Sequence, residues 1–203
     1  MIERETNANS TVIDSPSTRF ARIAKILGIG FFSAVITGII SGLLLRIIMK
    51  IIAIAFPDMA SGFTFEGTLF LVFLSFGFSL ANSIIYTFIH QYLPDGWVRK
   101  GLIYGGLNLC IFGIPFFLSN PNSELFGPQA PLGITLFSLL FLLGGLLLAM
   151  WFNLITNWVN RAQRRRIFAY VIFALLILPA IVIAGGIIYE FIYELIPAIR
   201  SNY

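Results

Sequence analysis

Charge is scarce in this chain of 203 residues: Asp, Glu, Lys and Arg make up 11% of it, where a soluble domain carries about a quarter. It has one cysteine, Cys110, and one histidine, His90. A single cysteine excludes an intrachain disulfide and every multi-cysteine metal site. A single histidine excludes bis-histidine haem ligation within one chain. The sequence also lacks HExxH, a GxSxG nucleophile, a Walker A loop and zinc-ligand spacing. No cofactor is therefore expected. No Asp or Glu falls near the middle of any long apolar run, which disfavours proton-coupled transport.

What the chain has in place of charge is apolar surface, 58% of its residues, and it is segmented. Ile26 to Leu45, Gly67 to Ile89, Gly101 to Leu118, Pro131 to Asn160 and Ile167 to Tyr189 contain no Asp, Glu, Lys or Arg. Each is close to the ~20 residues a helix needs to cross ~30 Å of hydrocarbon, and none alternates in polarity as a barrel strand does. The class is all-α, a polytopic integral membrane protein with spans at about 26–48, 67–90, 101–119, 131–152 and 167–189. Residues 1–20, polar and rich in Ser, Thr and Asn, are expected to form a disordered cytoplasmic tail, and 21–203 a single five-helix domain. Ala53-Ile54-Ala55 resembles a signal cleavage site, but the apolar run before it is too long for a signal and carries two cations.

The basic residues orient the spans. One set of alternate connections holds Arg4, Arg19, Arg22, Lys25, Arg99, Lys100, Arg161, Arg164, Arg165 and Arg166; the other holds only Arg46, Lys50 and Arg200. Cytoplasmic connections carry the excess of Lys and Arg, so the N-terminus, the Gln91 to Lys100 loop and the Asn160 to Arg166 loop are predicted inside and the C-terminus outside. Basic residues at helix ends, with no aromatic-interleaved soluble patch, argue against a nucleic-acid partner.

Arg46 lies about 21 residues beyond Lys25, or ~31 Å along a helix, at the outer interface. Arg46 and Lys50 can snorkel into headgroups. They can also meet Glu190 and Glu194, spaced one turn apart at a similar depth on the fifth helix, as interhelical ion pairs. His90, at the end of a span, reads as an interfacial residue. Asp58 and Asp95 fall on opposite sides of the predicted membrane, so they form no catalytic pair.

Two stripes follow helical spacing. Ala34, Gly38 and Gly42, flanked by Ser33, Thr37 and Ser41, predict a close helix contact on the first span. Ser75, Ser79, Asn82, Ser83, Tyr86 and His90 share one face of the second, facing either neighbouring helices or a wet path. Gly67 to Leu80 can be laid over Ile134 to Leu147 with Thr, Leu, Phe and a later Gly in register, as for tandem hairpins. After the fourth span, Trp151, Phe152, Ile155, Trp158 and Val159 lie opposite Asn153, Asn157 and Asn160. This amphipathic segment leads into Arg161, Arg164, Arg165 and Arg166, candidate contacts to anionic lipid at ~1 kcal/mol each.

The reading is a non-catalytic multi-pass membrane protein of the bacterial plasma (inner) membrane, an interaction, assembly or lipid-associated component. Its partners are expected to be the bilayer, with anionic headgroups on the cytoplasmic side, and a membrane protein or a second copy. The alternative is a small-solute carrier or channel with a polar path along the second helix.

Overall fold

The computed structural model describes residues 16–57, 64–119 and 127–202, and every regular element in them is helical. The order is α1 (Pro16–Ala55), α2 (Phe65–Ile89), α3 (Trp97–Asn108), a π-helical turn (Leu109–Gly113), α4 (Ile114–Ser119), α5 (Ala130–Asn160), α6 (Gln163–Glu190), a second π turn (Phe191–Leu195) and α7 (Ile196–Asn202). Five of the resulting helices are long and apolar enough to span a membrane: Thr18–Ala55, Phe65–Ile89, Trp97–Ser119, Ala130–Asn160 and Gln163–Arg200.

Local chemistry sets the helix ends. Pro16 opens α1 with its backbone angle already helical, so the helix takes in residues 16–20, which the sequence reading gave to the tail; residues 1–15 lie outside the described part. Thr64 caps α2, its Oγ1 accepting from Gly67 N–H at 3.2 Å, and Glu66 complements the dipole in the first turn. Gly96 supplies a φ of +97° before α3, a conformation in which a side chain would be strained. Between α5 and α6 only Arg161 and Ala162 are non-helical, so Arg164, Arg165 and Arg166 belong to the first turn of α6 rather than to a loop.

Both π turns precede an Ile-Pro pair, Ile114-Pro115 and Ile196-Pro197. A proline inside an α-helix donates no hydrogen bond, and its ring presses on the carbonyl four residues back. The wider turn absorbs that conflict: Ile114 N–H reaches Leu109 O, and Ile196 N–H reaches Phe191 O.

Glycines decide how the helices pack. A Cβ on Gly38 would lie 2.5 Å from Phe76 Cα, and one on Gly42 would lie 2.6 Å from Val72 Cα. The backbones of α1 and α2 therefore touch along the small-residue stripe. Gly101 and Gly105 do the same for α3 against α5, where a Cβ on Gly145 would meet Gly105 Cα at 2.5 Å. Gly28 lies against the Ala169 carbonyl of α6. α1 thus packs on α2, α5 and α6, while α3 packs on α5. Gly105 follows Gly38 at the same 67-residue separation that carries Thr68 onto Thr135 and Gly77 onto Gly144. Ala34 and Gly38 thus correspond to Gly101 and Gly105 at that offset, whereas Gly42 falls on Leu109 and Gly145 on Phe78.

Candidate functional site

Periodicity places the polar face of α2 in the helix bundle. Ser79, Asn82, Ser83 and Tyr86 are buried, and Ser75 and His90 are half-buried. Ser75 lies at the α1 crossing, where a Cβ on Gly38 would come 3.2 Å from its carbonyl. Ser83 Oγ donates to Leu80 O at 2.7 Å, and Asn82 Nδ2 donates to Phe78 O at 2.9 Å. Tyr104 of α3 brings its hydroxyl to 2.6 Å from the Asn82 backbone O and 3.0 Å from Asn82 Oδ1, tying α2 to α3.

Below that link the rings close over one another. Tyr86 meets Tyr104 and Phe152 edge-on at 5.0 and 5.3 Å, and His90 lies 4.9 Å from Phe152. His90 Nδ1 is 2.7 Å from Thr87 O; a carbonyl only accepts, so Nδ1 carries the proton. The six residues of the α2 stripe thus sit together at helix contacts. Four further hydroxyls, of Thr37, Ser41, Thr87 and Thr156, are buried without a hydrogen-bond partner among the described residues.

Tyr104 and Asn108 are buried polar residues that the sequence reading missed. The signal was present: Gly101, Tyr104, Gly105 and Asn108 recur at offsets of three, four and seven, the spacing of one helix face.

Arg46 and Lys50 do not meet Glu190 and Glu194. The Arg46 guanidinium reaches the first turn of α2, with Nη1 3.9 Å from where a Cβ on Gly67 would sit, and Lys50 is exposed. Glu190 and Glu194 are exposed, and neither has an ion pair among the described residues. The reason is lateral. α6 leans on α1 near Gly28, but its C-terminal end follows α2 and the first π turn, with Ile183 against Gly77 and Phe191 against Phe112. Equal depth along two helices does not make them neighbours there.

At the opposite end the basic residues gather at the α5–α6 junction. Lys25 Nζ donates to Asn160 Oδ1 at 3.4 Å. Arg165 folds back onto α5, with Nη1 3.3 Å from Trp158 O and Cζ 4.9 Å above the Trp158 ring. Arg161, Arg164 and Arg166 are exposed. Cations in the first turn of α6 face the positive end of its dipole, at a cost of ~0.3–1 kcal/mol each, so their own helix does not stabilise them there.

No protein-family model matches the chain, and comparison with curated proteins and with solved structures returned no match.

Proposed function

We propose that the chain is an integral membrane protein of five spans in a bacterial plasma membrane. Its N-terminus and the α2–α3 and α5–α6 connections lie in the cytoplasm, and its C-terminus lies outside. It acts as a non-catalytic interaction, assembly or lipid-associated component. The charge split between alternate connections supports the orientation. The observation that carries the functional reading is the α5–α6 junction, where three exposed arginines flank a fourth held on Trp158. An arginine fork beside an interfacial tryptophan suits the phosphate of an anionic headgroup.

The test is thermal unfolding of the full chain reconstituted in phosphatidylcholine vesicles with and without phosphatidylglycerol. Anionic lipid is expected to raise Tm, and replacing Arg161, Arg164 and Arg166 by Gln is expected to remove that rise, worth up to ~3 kcal/mol at ~1 kcal/mol per charge. An equal rise in the triple variant would refute the lipid contact.

A second reading, a small-solute path, is favoured by the partnerless hydroxyls of Thr37, Ser41 and Thr87. Against it, the α2 stripe already bonds within the bundle. Cysteines placed at Ser75, Ser79 and Ser83 separate the two: a wet path admits a water-soluble thiol reagent, whereas a sealed helix contact does not.

A further inference from the structure

The contacts of α6 hold Glu190 lower in the bundle than its count along the helix implies. Ile183 lies against Gly77, and from Gly77 α2 runs back twelve residues, ~18 Å, to its first residue, Phe65. That end is where charge returns to the helices, with Glu66 in the first turn of α2 and the Arg46 guanidinium beside Gly67. Glu190 is seven residues past Ile183, so it climbs at most ~10 Å of the ~18 Å and stays at least ~7 Å short of the end. Phe191 fixes the same level independently: its ring meets Phe112 with centroids 6.1 Å apart, and the helix carrying Phe112 continues seven residues, ~10 Å, to Ser119. Glu190 is exposed at that level and has no ion pair among the described residues. In a bilayer it faces hydrocarbon, where a carboxylate is costly unless a cation is brought to it.

A second copy, inserted at the same depth, does not bring that cation. It presents its own Glu190 at this level; its Arg46, Lys50 and Arg200 lie nearer the bundle end, beside Gly67, a turn further along α1 and ten residues past Glu190 respectively. Nor does the acyl chain of a lipid. A foreign helix can, and the surface admits one: Gly185 and Gly186, in the turn before Glu190, are exposed, and a Cβ on either meets nothing within 4 Å. Small residues let a helix backbone approach, as Gly38 and Gly42 do for α2. We infer that this face of α6 docks a transmembrane helix of a different membrane protein, one that carries a Lys or Arg opposite Glu190. The inference rests on the membrane reading above and deepens it by stating the chemistry of the partner.

The probe is a synthetic transmembrane helix of about twenty leucines and alanines with one Lys about seven residues from its end, so that the ammonium lies ~10 Å inside. It carries a fluorophore and is mixed in phosphatidylcholine vesicles with the full chain, labelled at its N-terminus; energy transfer reports binding. Transfer is expected for the Lys helix and not for the same helix with Leu or Glu in place of Lys. Glu190→Gln is expected to weaken it at least ~10-fold, through the loss of one partner of a desolvated charge pair. Gly186→Leu, at a position whose Cβ meets nothing in the chain itself, is expected to abolish it with the Tm of the chain unchanged. Equal transfer for the Lys and Leu helices, transfer for neither, or transfer untouched in both variants overturns the inference. So does quenching of a dye at Glu190→Cys, in a Cys110→Ser background, by aqueous iodide rather than by lipids brominated in mid-chain, which would put Glu190 in water. A chain that alkaline carbonate strips from the vesicles overturns the membrane reading, and this inference with it.

Discussion

The α1–α2 crossing gives one substitution two opposite outcomes, depending on where it is made. Alanine is a better helix former than glycine by up to ~1 kcal/mol, so a Gly→Ala change that meets nothing should stabilise. Gly106 is such a position: a Cβ there has no other heavy atom within 4 Å. At Gly38 the same methyl would come 2.5 Å from Phe76 Cα and 3.1 Å from Phe76 N. Those are backbone atoms and cannot rotate away, so α1 and α2 must separate by roughly an ångström to restore van der Waals distance. The separation would also loosen the second contact, Gly42 against Val72, one turn further on. Overpacking of this kind costs ~1–3 kcal/mol, which exceeds the gain in propensity.

Gly38→Ala should therefore destabilise by ~1–2 kcal/mol net, and Gly38→Leu by more, while Gly106→Ala is neutral or stabilising. For a chain of this size each kcal/mol moves Tm by ~2–4 °C, within reach of a thermal shift assay in mild detergent. Equal shifts for Gly38→Ala and Gly106→Ala would show that the α1–α2 backbones do not touch and would remove the packing argument.

Three further outcomes are expected. A topology reporter fused after Tyr203 should read as external and one in the Gln91 to Lys100 loop as cytoplasmic; a cytoplasmic signal at Tyr203 would overturn the proposed orientation. Tyr104→Phe removes the hydroxyl bonded to Asn82, so it should cost ~0.6 kcal/mol, and up to ~1.7 given its burial; coupling to Asn82→Ala in a double-mutant cycle tests whether the link is direct. Arg46→Gln and Glu190→Gln should be additive within ~0.3–0.5 kcal/mol, since Arg46 lies at the start of α2 and Glu190 is exposed on α6; coupling above that would bring the two helices together at that level.

Much of this architecture is readable from single residues. Each charge-free run lies inside one of the five long helices, and Gly38 and Gly42 of the small-residue stripe mark where α1 meets α2. On the polar face of α2, Ser79, Asn82, Ser83 and Tyr86 are buried, while Ser75 and His90 are half-buried. What the sequence could not supply was lateral order. Helix length fixes how far along its axis Arg46 or Glu190 lies, but nothing in either segment says which helix stands beside it. That is decided by the fit of Gly77 to Ile183 and of Phe112 to Phe191, contacts between residues that look alike in an apolar alphabet. The α5–α6 connection is shorter than the charges suggest for a simpler reason: arginine is a good helix former, so Arg164, Arg165 and Arg166 enter the first turn of α6 and only Arg161 and Ala162 are left between the helices.

The two Ile-Pro pairs have a consequence for how the protein is made. A gap in the helix hydrogen-bond ladder imposed by packing exists only once the neighbours arrive, whereas the donor missing at Pro115 and Pro197 is written into the covalent chain. Each of these two helices therefore carries its weak point from synthesis onward, whatever packs beside it, and the fifth helix, with 6% of its most apolar window buried, has few neighbours to impose one.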